Sequence, residues 1–227
     1  MTDYSQWGEQ QIIAAMLDKL PSRNNWCVDV GAGDGVELSN TRALVDAGYH
    51  AVLIEGDTER YESLAKNSPP SAIVVGEFIT PQGVSSLEAI LAQTATPHDF
   101  DLLSIDIDSH DYQVWESLVS YSPKVVIIEF NPTMGVDLNF IQPDGDVRYG
   151  SSLKVINTLA CAKGYRLQAV TATNANFMRG DLTDNEQTIE QAWTNKCFMT
   201  WMFYDYEGKP RVMGRVVSPW GCEVVGG

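Results

Sequence analysis

The chain has 227 residues, 44% of them hydrophobic and 20% charged, a composition that supports one substantial core and lies far from the low-hydrophobicity signature of disorder. Thirty acidic residues against 15 basic ones give a formal net charge of -15, a field that repels phosphodiester backbones and anionic lipid. Nucleic acid and membrane are therefore not expected partners, whereas a neutral or cationic small molecule, or a glycan, is.

No apolar run reaches the roughly 18 residues of a membrane span, and the opening MTDYSQWGEQQIIAAML has no basic segment leading into an apolar one. Cys27, Cys161, Cys197 and Cys222 are widely spaced, with no C-x-x-C pair, and read as isolated thiols of a reducing compartment. One cytoplasmic domain over 1–227 is expected, with assembly into a homo-oligomer left open.

In chain order, Ile12, Ile13, Met16, Leu17 and Leu20 recur at helical spacing and predict a helix over Glu9–Leu20, ended by Pro21. A short apolar run, Trp26–Val30, is closed by glycines and followed by a helix over Thr41–Ala47. The same alternation continues as strands Ala51–Glu55, Ala72–Val75, Leu102–Asp106 and Val125–Glu129, with helices near Thr58–Lys66, Val84–Gln93 and Tyr112–Ser120 between them. Strands that are apolar throughout and joined by helices predict a doubly wound, Rossmann-like α/β fold with a mostly parallel sheet buried on both faces.

The stretch 132–150 is rich in Pro, Gly and Asp, lacks a period and is expected to be a lid loop. Arg148 and Tyr149 are its candidate acceptor contacts. A helix over Ser152–Lys163 and a strand over Tyr165–Val170 follow. Strands at Ala175–Arg179 and Lys196–Tyr204 are expected antiparallel at the sheet's edge, around a helix near Asp184–Trp193.

The sequence VDVGAGDG, Val28–Gly35, lies where the first strand hands over to the next helix, the place where an open α/β sheet binds its ligand. Gly31, Gly33 and Gly35 permit a tight turn and close approach of backbone to ligand. The dinucleotide pattern is G-x-G-x-x-G, with a helix N-terminus facing pyrophosphate. Here the pattern is G-x-G-x-G behind Asp29, and this acidic version suits a cofactor with an amino group and a sulfonium, S-adenosylmethionine, better than one with phosphates. A nicotinamide or flavin dinucleotide and a plain structural turn are the other readings. Glu55, at the tip of the second strand, is positioned to accept both ribose hydroxyls of either cofactor. Glu77, after the third strand, is either an adenine-side residue or a solvated acid.

These segments resemble the FkbM-type and related class I S-adenosylmethionine-dependent methyltransferases. SQWGEQQII is similar to the S-Q-x-G-E-x-x-I segment of that family. VDVGAGDGVELSNT and LIEGD look like its loop and ribose acid, and SSLKVINTLACAKGYRL and NANFMR like its late helix, strand and closing edge strand. The resemblance implies cofactor contacts at Asp29, Gly31, Gly33 and Glu55, with Gly8, Glu9 and Asn40 near the methionine end. It also implies methylation of a hydroxyl, often on a sugar or natural product. The segment from about Asp181, with Trp193, Trp201 and Trp220, resembles nothing in that family.

SIDIDSHDY places Asp106 and Asp108 at the end of the fourth strand, with His110 and Asp111 just beyond. IIEFNP places Glu129 and Asn131 at the end of the fifth. Adjacent strands about 4.8 Å apart bring these oxygen donors into one pocket, a set that suits Mg²⁺ or another hard divalent cation. The spacing of Asp106, Asp108 and Tyr112 also looks like that of the metal-dependent catechol and caffeoyl-CoA O-methyltransferases, with Glu129-Phe130-Asn131 in place of their Asp-Asn pair. Asp106, Glu129 and Asn131 are the candidate metal ligands. The competing roles are a hydrogen bond from Asp106 to the cofactor's amino group, helix capping by Asp108 or Asp111, and a satisfied polar Glu129. Transfer to a hydroxyl needs a base, for which His110, Asp108 and Asp111 are the candidates. An oxidoreductase and a nucleoside-binding protein without turnover are the alternative functions.

Overall fold

A computed structural model describes residues 2–193, 201–204 and 206–213. Seven strands form one sheet: β1 (Trp26–Val30), β2 (His50–Ile54), β3 (Ile73–Val75), β4 (Leu102–Ile105), β5 (Val125–Glu129), β6 (Tyr165–Val170) and β7 (Asn174–Arg179), in the order β3-β2-β1-β4-β5-β7-β6. The first five are parallel and β7 is antiparallel to both neighbours. This is the expected Rossmann-like α/β sheet with antiparallel C-terminal strands.

Alternation along each strand sends side chains to two cores, because successive residues point to opposite faces. Val28, Val30, Val52, Ile54, Leu103, Ile105, Val126 and Ile128 pack on one face, with Leu87 and Leu91 of α4 (Leu87–Leu91), Trp115 of α5 (Asp111–Ser117) and Ile156 of α6 (Leu153–Ala162). Cys27, Ala51, Leu53, Leu102, Val125 and Ile127 pack on the other. Their partners include Ile13 and Leu17 of α1 (Glu9–Leu17), Val45 of α2 (Arg42–Asp46) and Leu64 of α3 (Thr58–Asn67). Covering both faces lets these strands be apolar throughout.

From β1 the chain winds to β2 and β3 on one side, then returns to place β4 on β1's other side. The crevice at this reversal, outside the carboxyl ends of β1 and β4, is where an open sheet holds a ligand.

Four expectations need correction. The helix predicted over Val84–Gln93 is only α4, because Ser86 caps it by accepting the Ala89 N–H at 3.2 Å. Of the helix near Asp184–Trp193, only α7 (Ile189–Ala192) forms, started by a Thr188–Gln191 capping box. The segment predicted at Ala175–Arg179 is not an edge strand: β7 lies between β5 and β6, and β6 is the edge. Nor do the described residues of the segment predicted at Lys196–Tyr204 join this sheet. Its described part, β8 (Trp201–Tyr204), pairs with β9 (Pro210–Met213) as a separate hairpin, turned through Gly208 at φ 77°.

Cys27 is buried, Cys161 is exposed and both are free; Cys197, Cys222 and Trp220 lie outside the described residues. Among the described residues, no helix is long and apolar enough to cross a membrane.

At the sheet end opposite the crevice, fully buried Asp101 accepts the N–H groups of Asn24 and Asn25 at 3.1 and 2.8 Å, and Lys124 Nζ at 2.7 Å. Removing its charge leaves the Lys124 ammonium without its counter-ion in the core. Asp101→Asn is therefore expected to cost about 3–5 kcal/mol in urea unfolding, and a loss below roughly 1 kcal/mol would contradict this buried pairing.

Candidate functional site

The glycine turn leaves β1 with its amides already committed. The Gly31 and Ala32 N–H groups both donate to Ile54 O at 3.0 Å, and the Asp106 N–H donates to Val30 O at 2.9 Å. Gly31 has φ 84°, and a Cβ there would lie 1.8 Å from the Asp106 carbonyl oxygen. Gly35, at φ 76°, would meet Leu64 Cδ1 at 2.6 Å. These two glycines answer to the protein's own packing. Gly33 differs: its φ is 57°, and a Cβ there would meet no protein atom within 4 Å. It borders an open cavity, and its N–H donates to Glu55 Oε2 at 2.8 Å.

Two cavities flank this turn and share Gly31, Arg60, Asp106 and Asp108. On the β2 side, a cavity of about 350 Å³ is bordered by Glu55, Asp57, Glu77, Phe78, His110 and Val147, among others. Glu55 is buried, and its second oxygen accepts the Asp57 N–H at 2.8 Å, so backbone fixes both oxygens while each keeps a further lone pair. Phe78 is 74% exposed, and its ring occupies the space that a Cβ on Gly56 would need, with Cδ1 only 2.3 Å from that position. Glu77 is exposed and accepts from Ser85 Oγ at 2.8 Å.

On the other side, a cavity of about 410 Å³ is bordered by Gln6, Asp29, Asn40, Ser104, Glu129 and Asn174, among others. Asp29 and Ser104 pair in register on β1 and β4. Thr41 Oγ1 donates to Asp29 Oδ2 at 2.6 Å, and Asn40 Nδ2 to Ser104 Oγ at 3.2 Å. Burial raises the Asp29 carboxyl to about 6, against the lowering effect of the Thr41 and Ser104 hydroxyls.

Between the cavities, Asp106, Asp108 and Glu129 each offer an oxygen within 4.8 Å of the others. Asp108 adopts φ 63°, and its N–H donates to Glu129 Oε2 at 3.1 Å. Burial first, and then repulsion among the neighbouring acids, holds the Asp106 and Glu129 carboxyls well above the usual range. Burial also raises Asp108, opposed by the charge of Arg60.

Three candidates have other duties. Asn131 is turned to the loop rather than to the acid cluster: its Nδ2 donates to Tyr149 O at 2.6 Å and its Oδ1 accepts from the Thr133 N–H and hydroxyl. Asp111 is buried and ties the β4–α5 turn by accepting the Ile107 and Ser109 N–H groups at 2.9 and 3.1 Å; burial raises it to about 7. Glu9, fully buried, borders neither cavity. It accepts from the Trp7 N–H and Thr171 Oγ1, and so fastens the N-terminal segment to the β6–β7 turn. Gly8 borders neither cavity either.

His110 stands on the β2 side with Glu55 and Phe78, away from Gln6 and Asn174. Of 132–150, which forms neither helix nor strand, only Val147 borders either cavity. Arg148 pairs instead with Asp146 at 2.6 Å and lies over the Tyr149 ring.

Gln6, Arg60, Ser104, Thr173 and Asn174 border the cavities without having been singled out from the sequence. Ser104 carried a signal, being the one polar residue in the apolar run Leu102–Ile105.

No family model matches the chain, and no curated protein matches its sequence. Solved structures of similar arrangement include magnesium protoporphyrin IX methyltransferase from Synechocystis with bound SAH (15% identity, covering 76% of this chain and 84% of that one, TM-score 0.47). They also include an S-adenosylmethionine-dependent methyltransferase from Mesorhizobium loti (13%, 76% and 98%, TM-score 0.48) and an amino pentose methyltransferase from Micromonospora echinaspora (10%, 75% and 89%, TM-score 0.47). The fold assignment rests on the strand order and register described above.

The glycines separate experimentally. Gly31→Ala forces backbone against backbone and is expected to cost several kcal/mol in urea unfolding, or to prevent folding. Gly33→Ala pays only the left-handed backbone cost, about 1 kcal/mol. Equal losses for the two would contradict this division.

The raised carboxyls also fix a pH slope. The folded chain holds more protons than the unfolded one from about pH 4, the unfolded carboxylate value, up to about pH 7. Stability from Asp29 and Asp111, with folded values of about 6 and about 7, is thus fully present below this window and lost as pH rises through it. The thermal midpoint of the ligand-free protein should be higher at about pH 5.5 than at about pH 7.5. A midpoint that climbs with pH would contradict the raised values.

Proposed function

We propose that this protein is an S-adenosylmethionine-dependent methyltransferase of the class I, FkbM-like kind, acting in the cytoplasm on a hydroxyl of a sugar or other small natural product. The observation that carries the reading is the open face of Gly33. That turn presents its backbone to a cavity no protein atom fills, with ribose-accepting Glu55 bound to the same residue's N–H on one side and a wall of carboxylates on the other.

A dinucleotide fits poorly. No helix opens after the turn: α2 begins only at Arg42 and has five residues, so there is no long helix N-terminus to meet a pyrophosphate. Asp29, Asp34, Glu37, Asp106, Asp108 and Glu129 border the space beside the turn and would repel it.

The cofactor, when bound, supplies a methyl group on a sulfonium that departs in an in-line displacement. The chain's work is placement and proton removal. Gly33 would admit the cofactor against the backbone, Glu55 would accept from its ribose hydroxyls, and Phe78, which lines the same cavity as Glu55, would flank the base. Asp29, held by Thr41, and Asn40, held by Ser104, border the methionine end. Asp106, which borders both cavities, accepts the acceptor's hydroxyl proton, for which a raised carboxylate is a stronger base than an ordinary one. His110, on the nucleoside side, serves cofactor binding in this arrangement.

A second reading is favoured by the convergence of three hard oxygen donors. Asp106, Asp108 and Glu129 would hold a divalent cation, whose contribution is to lower the pKa of the acceptor hydroxyl.

With labelled S-adenosylmethionine and a panel of hydroxylated acceptors, Asp106→Asn is expected to lower kcat by roughly 10²-fold or more. His110→Ala should mainly raise the KM for the cofactor. A His110→Ala loss confined to kcat would return the base to that residue, and no methyl transfer to any acceptor would count against the function. Activity that survives exhaustive EDTA would remove the metal reading.

A further inference from the structure

We infer that the acceptor carries a protonated amine, and that Glu129, Asp108 and the side-chain carbonyl of Asn174 hold it at the β5–β7 end of the cleft. The inference rests on the methyltransferase reading for the identity of the second ligand, though not for the existence of the amine site.

The observation outside the acid cluster is Asn174. It borders the larger cavity and is 2% exposed, and its Oδ1 has no hydrogen-bond partner. Its orientation is determined by what lies behind it. Nδ2 donates to Thr173 Oγ1 at 3.2 Å and reaches Glu9 Oε1 at 3.5 Å. Glu9 already accepts from the Trp7 N–H and the Thr171 hydroxyl. A carboxylate can only accept, so it draws the amide nitrogen and leaves the carbonyl for the opposite side. A buried acceptor with no donor is costly, and such atoms in native structures usually await a ligand or water.

Asn174 pairs in register with Glu129, which puts the two side chains next to each other on one face of the sheet. Glu129, Asp108 and Asn174 Oδ1 all accept. A primary ammonium brings three donors and a positive charge to these three acceptors. Arg60 is the one cation among the residues bordering this cavity, against six acids.

The place is also distinct from the nucleoside end. Four strand intervals of about 4.8 Å separate Glu55, just past β2, from Asn174 on β7, on the order of 19 Å across the sheet.

The test is ligand-observed NMR on the full chain, with and without saturating S-adenosylhomocysteine. The probes are ethanolamine, tyramine and glucosamine, each against its N-acetylated counterpart, and Mg²⁺ alone. At least one amine is expected to bind roughly tenfold or more tightly than its neutral partner, as a charge-assisted hydrogen bond warrants. Glu129→Gln, which keeps the shape, should abolish that preference. Asn174→Leu should weaken it, with its thermal midpoint checking that the chain still folds.

Equal binding of amine and N-acetyl forms across the panel would overturn the proposal. So would Mg²⁺ binding that depends on Glu129 while the amines are ignored. If S-adenosylhomocysteine fails to bind but the amine preference remains without it, the methyltransferase reading falls and the amine site stands.

Discussion

Where β1 gives way to its turn, the α-carbon of Gly31 faces the carbonyl of Asp106 so closely that no side chain fits between them. This contact joins the carboxyl ends of the two strands at which the sheet reverses direction. Several things follow from it. The turn must rise at a positive φ, Gly33 is lifted to the open edge of a cavity, and Asp106 emerges from β4 with Glu129 of β5 and Asp108 beside it. A bulkier residue at position 31 would push β4 away and disperse both the turn and the acids.

The second constraint is electrostatic. Asp29, Asp106, Asp111 and Glu129 are removed from water, which raises each of them, and Asp106 and Glu129 are raised further by repulsion from the acids around them. Such a group holds protons, binds a cation, or does both. The rest of the fold bears that repulsion through local hydrogen bonds: Thr41 on Asp29, the Ile107 and Ser109 amides on Asp111, and the Asp108 amide on Glu129. A site that held a positively charged cofactor, with a cationic acceptor beside it, would gain from the same arrangement.

Much of the architecture was legible because burial on two faces writes an apolar run. Trp26–Val30, Val125–Glu129 and Tyr165–Val170 are strands at their expected limits. Less was legible where long-range pairing decides. Nothing local in Asn174–Arg179 says that it inserts between β5 and β6, and only that insertion brings Asn174 beside Glu129. The glycine spacing marked the turn, but not that Gly31 serves the protein's own backbone while Gly33 faces open space. Glu9 was visible as the acid that opens a helix. Its burial against Thr171, 162 positions away, was not. Asn131 illustrates the same limit, since its position after β5 pointed into the cluster and its hydrogen bonds turn it toward the loop.

The most direct measurement is a crystal structure of the chain grown with S-adenosylhomocysteine. The ribose should lie on Glu55, the backbone of Gly33 should be in van der Waals contact with the ligand, and the sulfur should face the space between Asp29 and Asp106. A ligand bound elsewhere, or a cleft that stays free of it at saturating concentration, would contradict the placement of the methyl donor at this turn.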